Sequence, residues 1–164
     1  MLQLPAPTTD TPTLDELDVA LSALRSDTSP TWGTMNAVQM VRHCTKFVDL
    51  YRGNVPVPGL MRFAARMVGP MFLRRLIRSS PTKTPRNLRT LPSIRAAADL
   101  DAALDNEAAA LRAGLDAIAA LQGSVEHPLY GPTEAETCRT LVRHHTAHHF
   151  HQFGLLAASP AGTI

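Results

Sequence analysis

TEAETCRTLVRHHTAHHFHQFG, residues Thr133 to Gly154, crowds five of the chain's seven histidines into eight positions. Thr133 and Glu136 have the spacing of a capping box, so the stretch reads as a helix, extending to about Ala157. At roughly 100° per residue, His145 and His149 fall about 40° apart on one face, and His144 and His148 form a second such pair. Leu141, Val142, Phe153 and Leu156 centre on the direction of His145 and His149. That pair points inward with one turn between its members, the separation two ligands of one ion need. His144, His148 and His151 point to the flank, nearer solvent.

The rest of the chain places this helix in a helical protein. At 164 residues one core is expected. Aromatics make up 5% and Ala, Leu and Arg are plentiful, which suits helices better than strands. Met1 to Pro12 are rich in Pro and Thr and read as a flexible leader, 1–12. Thr13 and Glu16 form a capping box ahead of Leu14, Leu17, Leu21 and Leu24, a first helix over about 14–26. Asn36 and Gln39 repeat that spacing, Met35 and Met40 are placed as a staple, and a second helix should end at Gly53. Asp99 opens a third long helix through Leu100, Leu104, Leu111, Leu115 and Ile118, stopped by Gly123. GSVEHPLYGP then reads as a turn. The pattern is all-α, four amphipathic helices in a four-helix bundle over 13–158 with a tail at 159–164.

Between the second and third helices lies a long crossover, broken by Pro56, Pro58, Gly69, Pro70, Pro81, Pro85 and Pro92. Two short helices, LMRFAARMV and MFLRRLIR, are expected inside it. Net charge is only +2, yet no acid stands between Asp49 and Asp99, while ten of the sixteen Lys and Arg do. This basic segment, 52–95, is suited to an anionic ligand, a headgroup or a phosphate backbone. Cys44 and Cys138 form no disulfide framework, no targeting segment is evident, and no apolar run reaches the roughly 18 residues of a membrane span. A reduced, cytoplasmic protein without a transmembrane segment is the expectation.

Two histidines leave a metal site incomplete. His43 shares the inward stripe of the second helix with Met40, Phe47, Leu50 and Tyr51, and makes an obvious third ligand. The alternative is a set of hydrogen-bonded core histidines. Three neutral imidazoles converging without an ion would each need other partners, which tilts the reading toward metal.

WGTMNAVQMVRHC on the second helix, HPLYGPTEAE before the fourth and HTAHHFHQFG within it resemble, in that order, the signature of the DinB-like superfamily, nearest to an uncharacterised bacterial subfamily. The resemblance spans Leu14 to Leu156. It implies a four-helix bundle with a long connection between helices two and three. It also implies a divalent ion, often nickel, zinc or iron, on His43, His145 and His149. Relatives include thiol-dependent S-transferases using bacillithiol, mycothiol or glutathione, a maleylpyruvate isomerase and metal-dependent hydrolases, and many dimerise, so the resemblance also implies a homodimer. The extra histidines at 144 and 151 depart from the pattern.

A His₃ site would activate a low-molecular-weight thiol or water for S-transfer or hydrolysis of a small-molecule substrate. Imidazoles do not choose among zinc, nickel and iron. Arg62, Arg66 or Arg74 are candidates to hold the acidic part of a thiol cofactor. His148, Gln152 and Tyr130 are candidates to orient a ligand or bound water. Two rivals stand beside this: a bundle binding metal without catalysis, and a metal-free interaction module. Nucleic acid is the less favoured partner.

Overall fold

Reciprocal caps marked in the sequence open two helices in a computed structural model of the chain, which describes residues 1–86, 91–98 and 100–156. Glu16 N–H donates to Thr13 Oγ1 at 3.2 Å and the Thr13 N–H to Glu16 Oε2 at 2.7 Å, starting α1 (Leu14–Ser22). Asn36 and Gln39 exchange the same pair of bonds at 2.8 and 3.0 Å, starting α2 (Ala37–Tyr51). Behind α2 the chain turns at Gly53, whose φ of +78° suits a residue without Cβ. The remaining helices are α3 (Gly59–Ile77), α4 (Leu104–Ala119) and α5 (Ala135–Gln152), with short 3-10 turns at Pro81–Lys83 and Pro92–Ile94. The described residues are mostly helical, with one small two-stranded sheet.

The core lies where α2 meets α4 and α5, with α1 against the last two. Met40, Val41, Cys44 and Val48 of α2 are fully buried, as are Leu111 and Ile118 of α4 and Cys138, Val142 and Phe150 of α5. A Cβ on Gly114 would stand 2.9 Å from Val48 Cγ1, so the glycine lets α4 approach α2 closely. Across that seam the Arg42 guanidinium grips the buried Glu107 carboxylate with two hydrogen bonds and holds it below the usual carboxylate range. No helix among the described residues is long and apolar enough to cross a membrane.

Several sequence expectations are corrected. The first helix stops at Ser22 rather than near residue 26. The crossover holds one 19-residue helix, α3, not two short ones, and Gly69-Pro70 lies inside it. Gly69 is there for contact: a Cβ would fall 2.5 Å from Tyr130 Cε1. The third long helix begins at Leu104, leaving Leu100 outside it, while Asp99 lies outside the described residues.

GSVEHPLYGP is more than a turn. It supplies β1 (Ser124–His127) and β2 (Gly131–Glu134), paired antiparallel with His127 opposite Gly131. His127, wholly buried, holds the connection by accepting the Leu129 and Tyr130 N–H groups on Nδ1 at 3.0 and 3.3 Å. The Thr133/Glu136 capping box does not form, because Thr133 is in β2, where its hydroxyl donates to the Gly131 carbonyl. Glu136 instead accepts from Arg139 Nε, and α5 starts at Ala135 without a side-chain cap. That helix ends at Gln152; Ala157 and the tail at 159–164 lie outside the described residues.

The leader makes defined contacts with the rest of the chain. Leu2 is buried and brackets β2, donating to Pro132 O at 2.7 Å and accepting from the Glu134 N–H at 3.2 Å. Arg143 of α5 donates to the carbonyls of Thr11 and Pro12. Short polar and proline residues still offer backbone carbonyls, which composition does not register.

Candidate metal centre

His43, His145 and His149 converge, with one nitrogen of each within 4.8 Å of the others. The α2 stripe brings His43, and the one-turn spacing on α5 brings the other two. His43 Nε2 and His145 Nε2 are 3.1 Å apart.

The outer nitrogens decide what the inner ones can do. His43 Nδ1 lies 2.9 Å from the Ile94 carbonyl, which only accepts, so Nδ1 carries the proton and the neutral ring keeps its lone pair on Nε2. His149 Nδ1 lies 2.8 Å from Gln152 Oε1. The amide is oriented, because Gln152 Nε2 donates to the Trp32 carbonyl at 2.6 Å. His149 is therefore the Nδ1–H tautomer as well, and its Nε2 is free to ligate. Gly33 leaves room for that amide, since a Cβ there would be 2.6 Å from Gln152 Nε2. His145 is placed by stacking on Phe47, with centroids 3.6 Å apart and planes 8° from parallel.

Burial keeps all three rings neutral. It is the largest influence on each, lowering His149 to about 3, His145 well below the ordinary value and His43 below it, with the neighbouring imidazoles adding to the effect. Neutral rings present lone pairs with no proton to displace at ordinary pH.

The three imidazoles open on a cavity of about 730 Å³, lined mostly by apolar and aromatic side chains including Phe72, Leu73, Leu76 and Leu91. Among the described residues no Asp or Glu lines it; Arg95 does. Tyr51 and Tyr130 also face it, and burial pushes the Tyr130 phenol up to about 12, so it stays a hydrogen-bond donor. The thiols of Cys44 and Cys138 are buried and raised by burial, which leaves both unreactive.

His144 and His148, expected on the solvent side, are buried. His144 Nε2 meets Thr84 Oγ1 at 2.9 Å, and His148 Nδ1–H donates to the Pro81 carbonyl at 3.1 Å. The segment around Pro81–Lys83 covers their face of α5, which the helix's own apolar pattern does not reveal. His151 does lie partly exposed, donating to Leu156 O at 3.2 Å. Gln152 is in place to orient His149; His148 sits beside it with ring centroids 5.1 Å apart; Tyr130 stacks on His127. Arg62, Arg66 and Arg74 are exposed on α3, and none of them lines the cavity.

Three groups that hold the site escaped the sequence reading: the Ile94 and Trp32 carbonyls and the Phe47 ring. Backbone carbonyls carry no residue signal. Phe47 did carry one, four positions after His43 on the same stripe.

Neither a curated protein nor a solved structure matches the chain. A family model does, over residues 8–154, and takes in both helices that carry the three histidines: the chain belongs to the family described as Protein of unknown function (DUF1569).

Proposed function

We propose that the chain is a divalent-metal-dependent enzyme of the DinB-like type, a four-helix bundle in which His43, His145 and His149 hold the ion. The observation that carries this reading is the pair of fixed tautomers. Ile94 and Gln152 take the outer N–H of His43 and His149, so both inner nitrogens offer lone pairs to the space that His145 also faces. Without an ion, His145 Nε2–H donating to His43 satisfies only one of those lone pairs. One ligand on α2, two on α5 and a long connection from α2 to α4 also support the DinB-like part of the reading.

An ion held by three neutral ligands keeps its full charge, and as a Lewis acid it lowers the pKa of a thiol or water in the remaining position. The protein's own contribution is a largely apolar chamber with no carboxylate among its described lining residues, which favours an anionic or polarisable group beside the imidazoles. Tyr51 and Tyr130 supply phenolic donors to a substrate oxygen or leaving group in that chamber. S-transfer from a low-molecular-weight thiol and hydrolysis both use these features. The two free cysteines are buried, so the thiol must come with a cofactor.

The test is elemental analysis of protein purified without a metal column. The expected result is about one zinc, nickel or iron per chain. Protein that stays metal-free after anaerobic reconstitution with each of the three would overturn the reading and leave the cluster as hydrogen-bonded core.

A further inference from the structure

Six of the eight large hydrophobic side chains exposed on the described residues belong to one helix, α3. Leu60 (83% exposed), Phe63 (66%), Met67 (68%) and Met71 (76%) recur at steps of three and four, with Val68 beside them. They form one outward stripe along the first three turns. Arg74 and Arg78 continue the same line at steps of three and four, flanked by Arg75, and all three are exposed. The opposite face is engaged elsewhere: Met61, Ala65, Leu73, Leu76 and Ile77 pack onto the core. Helix α3 is therefore apolar on two sides, and only one of them is covered. Contiguous exposed apolar surface of this extent marks a contact site.

Charge selects the occupant. Helix α3 and its cap carry Arg62, Arg66, Arg74, Arg75 and Arg78, and no acid stands anywhere between Asp49 and Asp99. Of these five arginines, only Arg66 reaches a carboxylate among the described residues, Glu126 at 3.5 Å. A second copy packed on this stripe would set two such helices about 8–10 Å apart with no acid on either, within one Debye length. Nucleic acid would answer the arginines and leave the apolar stripe in water. An anionic lipid surface answers both, with acyl chains for Phe63, Met67 and Met71 and headgroups for the guanidinium groups.

We infer that the outer face of α3 docks the protein on anionic membrane surfaces, with the helix lying in the plane of the interface. The same helix walls the cavity through Phe72, Leu73 and Leu76, so docking sets the chamber beside the lipid. This stands independently of the metal.

The experiment is co-sedimentation of the full chain with vesicles of phosphatidylcholine alone and of phosphatidylcholine mixed with phosphatidylglycerol, at low and high salt. Binding is expected to the mixed vesicles only and to weaken with salt. Neutralising Arg74, Arg75 and Arg78 to Gln should cost roughly fivefold in partitioning for each charge removed. F63D with M67D should abolish binding while circular dichroism stays unchanged, because both side chains are exposed. V19D, on the exposed face of α1, serves as a control and should bind like the parent. No binding to mixed vesicles, or binding that V19D and F63D/M67D reduce alike, would overturn the inference. So would a dimer in solution that M67D separates and that does not sediment with lipid, which would assign the stripe to a second copy.

Discussion

His145 and His149 form one i, i+4 pair on α5, and His144 and His148 form another, one residue out of step. They share residue type, spacing and helix, yet they do different things. The first pair meets His43 with nitrogens turned toward a common space. In the second, one nitrogen of each ring is engaged, His144 Nε2 by Thr84 and His148 Nδ1 by Pro81, fastening the segment that closes over the helix. His127 belongs with the second pair in kind, since its Nδ1 accepts two backbone N–H groups and shapes the hairpin. A histidine's role follows from what its other nitrogen meets, and that partner is usually a distant piece of backbone.

Truncating one member of each pair separates the two roles most strongly. H145A is expected to lose the ion, measured as metal per chain, while keeping its helical circular dichroism; H144A should retain the ion. If H144A empties the site and H145A does not, the two faces have been assigned the wrong way round. The converse effect appears in stability. H144A leaves a void and a buried Thr84 hydroxyl unpaired, and should cost about 2–4 kcal/mol in urea unfolding. A loss as small as that of an exposed substitution would mean that the segment carrying Thr84 does not depend on this contact.

Acid tests the fastening role at the hairpin. Burial lowers His127 to about 4, and a proton on Nδ1 would break both backbone bonds. The unfolded chain takes that proton near the ordinary value of 6.5, so the contribution is fully present above about 6.5 and is lost as pH falls toward 4. At about 1.4 kcal/mol per unit the loss is on the order of 3 kcal/mol. Urea midpoints measured from neutral to mildly acidic pH should fall accordingly; a flat profile would rule out this linkage.

The smallest effect sharpens the ligand side. Q152A removes the acceptor that holds His149 in its Nδ1–H form, and should weaken metal affinity about 10–100-fold without emptying the site. Titration of the apo protein with a competing chelator reads this directly. Unchanged affinity would show that His149 needs no such partner.

The helical class, two of the helix starts and which three histidines share a space were all legible in the order of residues. Each of these depends on interactions within a few residues: reciprocal caps at Thr13/Glu16 and Asn36/Gln39, and the phase of polar against apolar positions along α2 and α5. The expectations that failed depend on distant partners. Gly69-Pro70 looked like a break because its close neighbour, Tyr130, lies far away in sequence. Thr133 had the spacing of a cap but was taken by a strand. His144 and His148 lacked apolar neighbours on their own helix, yet a segment more than fifty residues earlier in the chain buries them. Those outcomes were set by the packed chain, because burial and hydrogen-bond partners come from segments that no local spacing records.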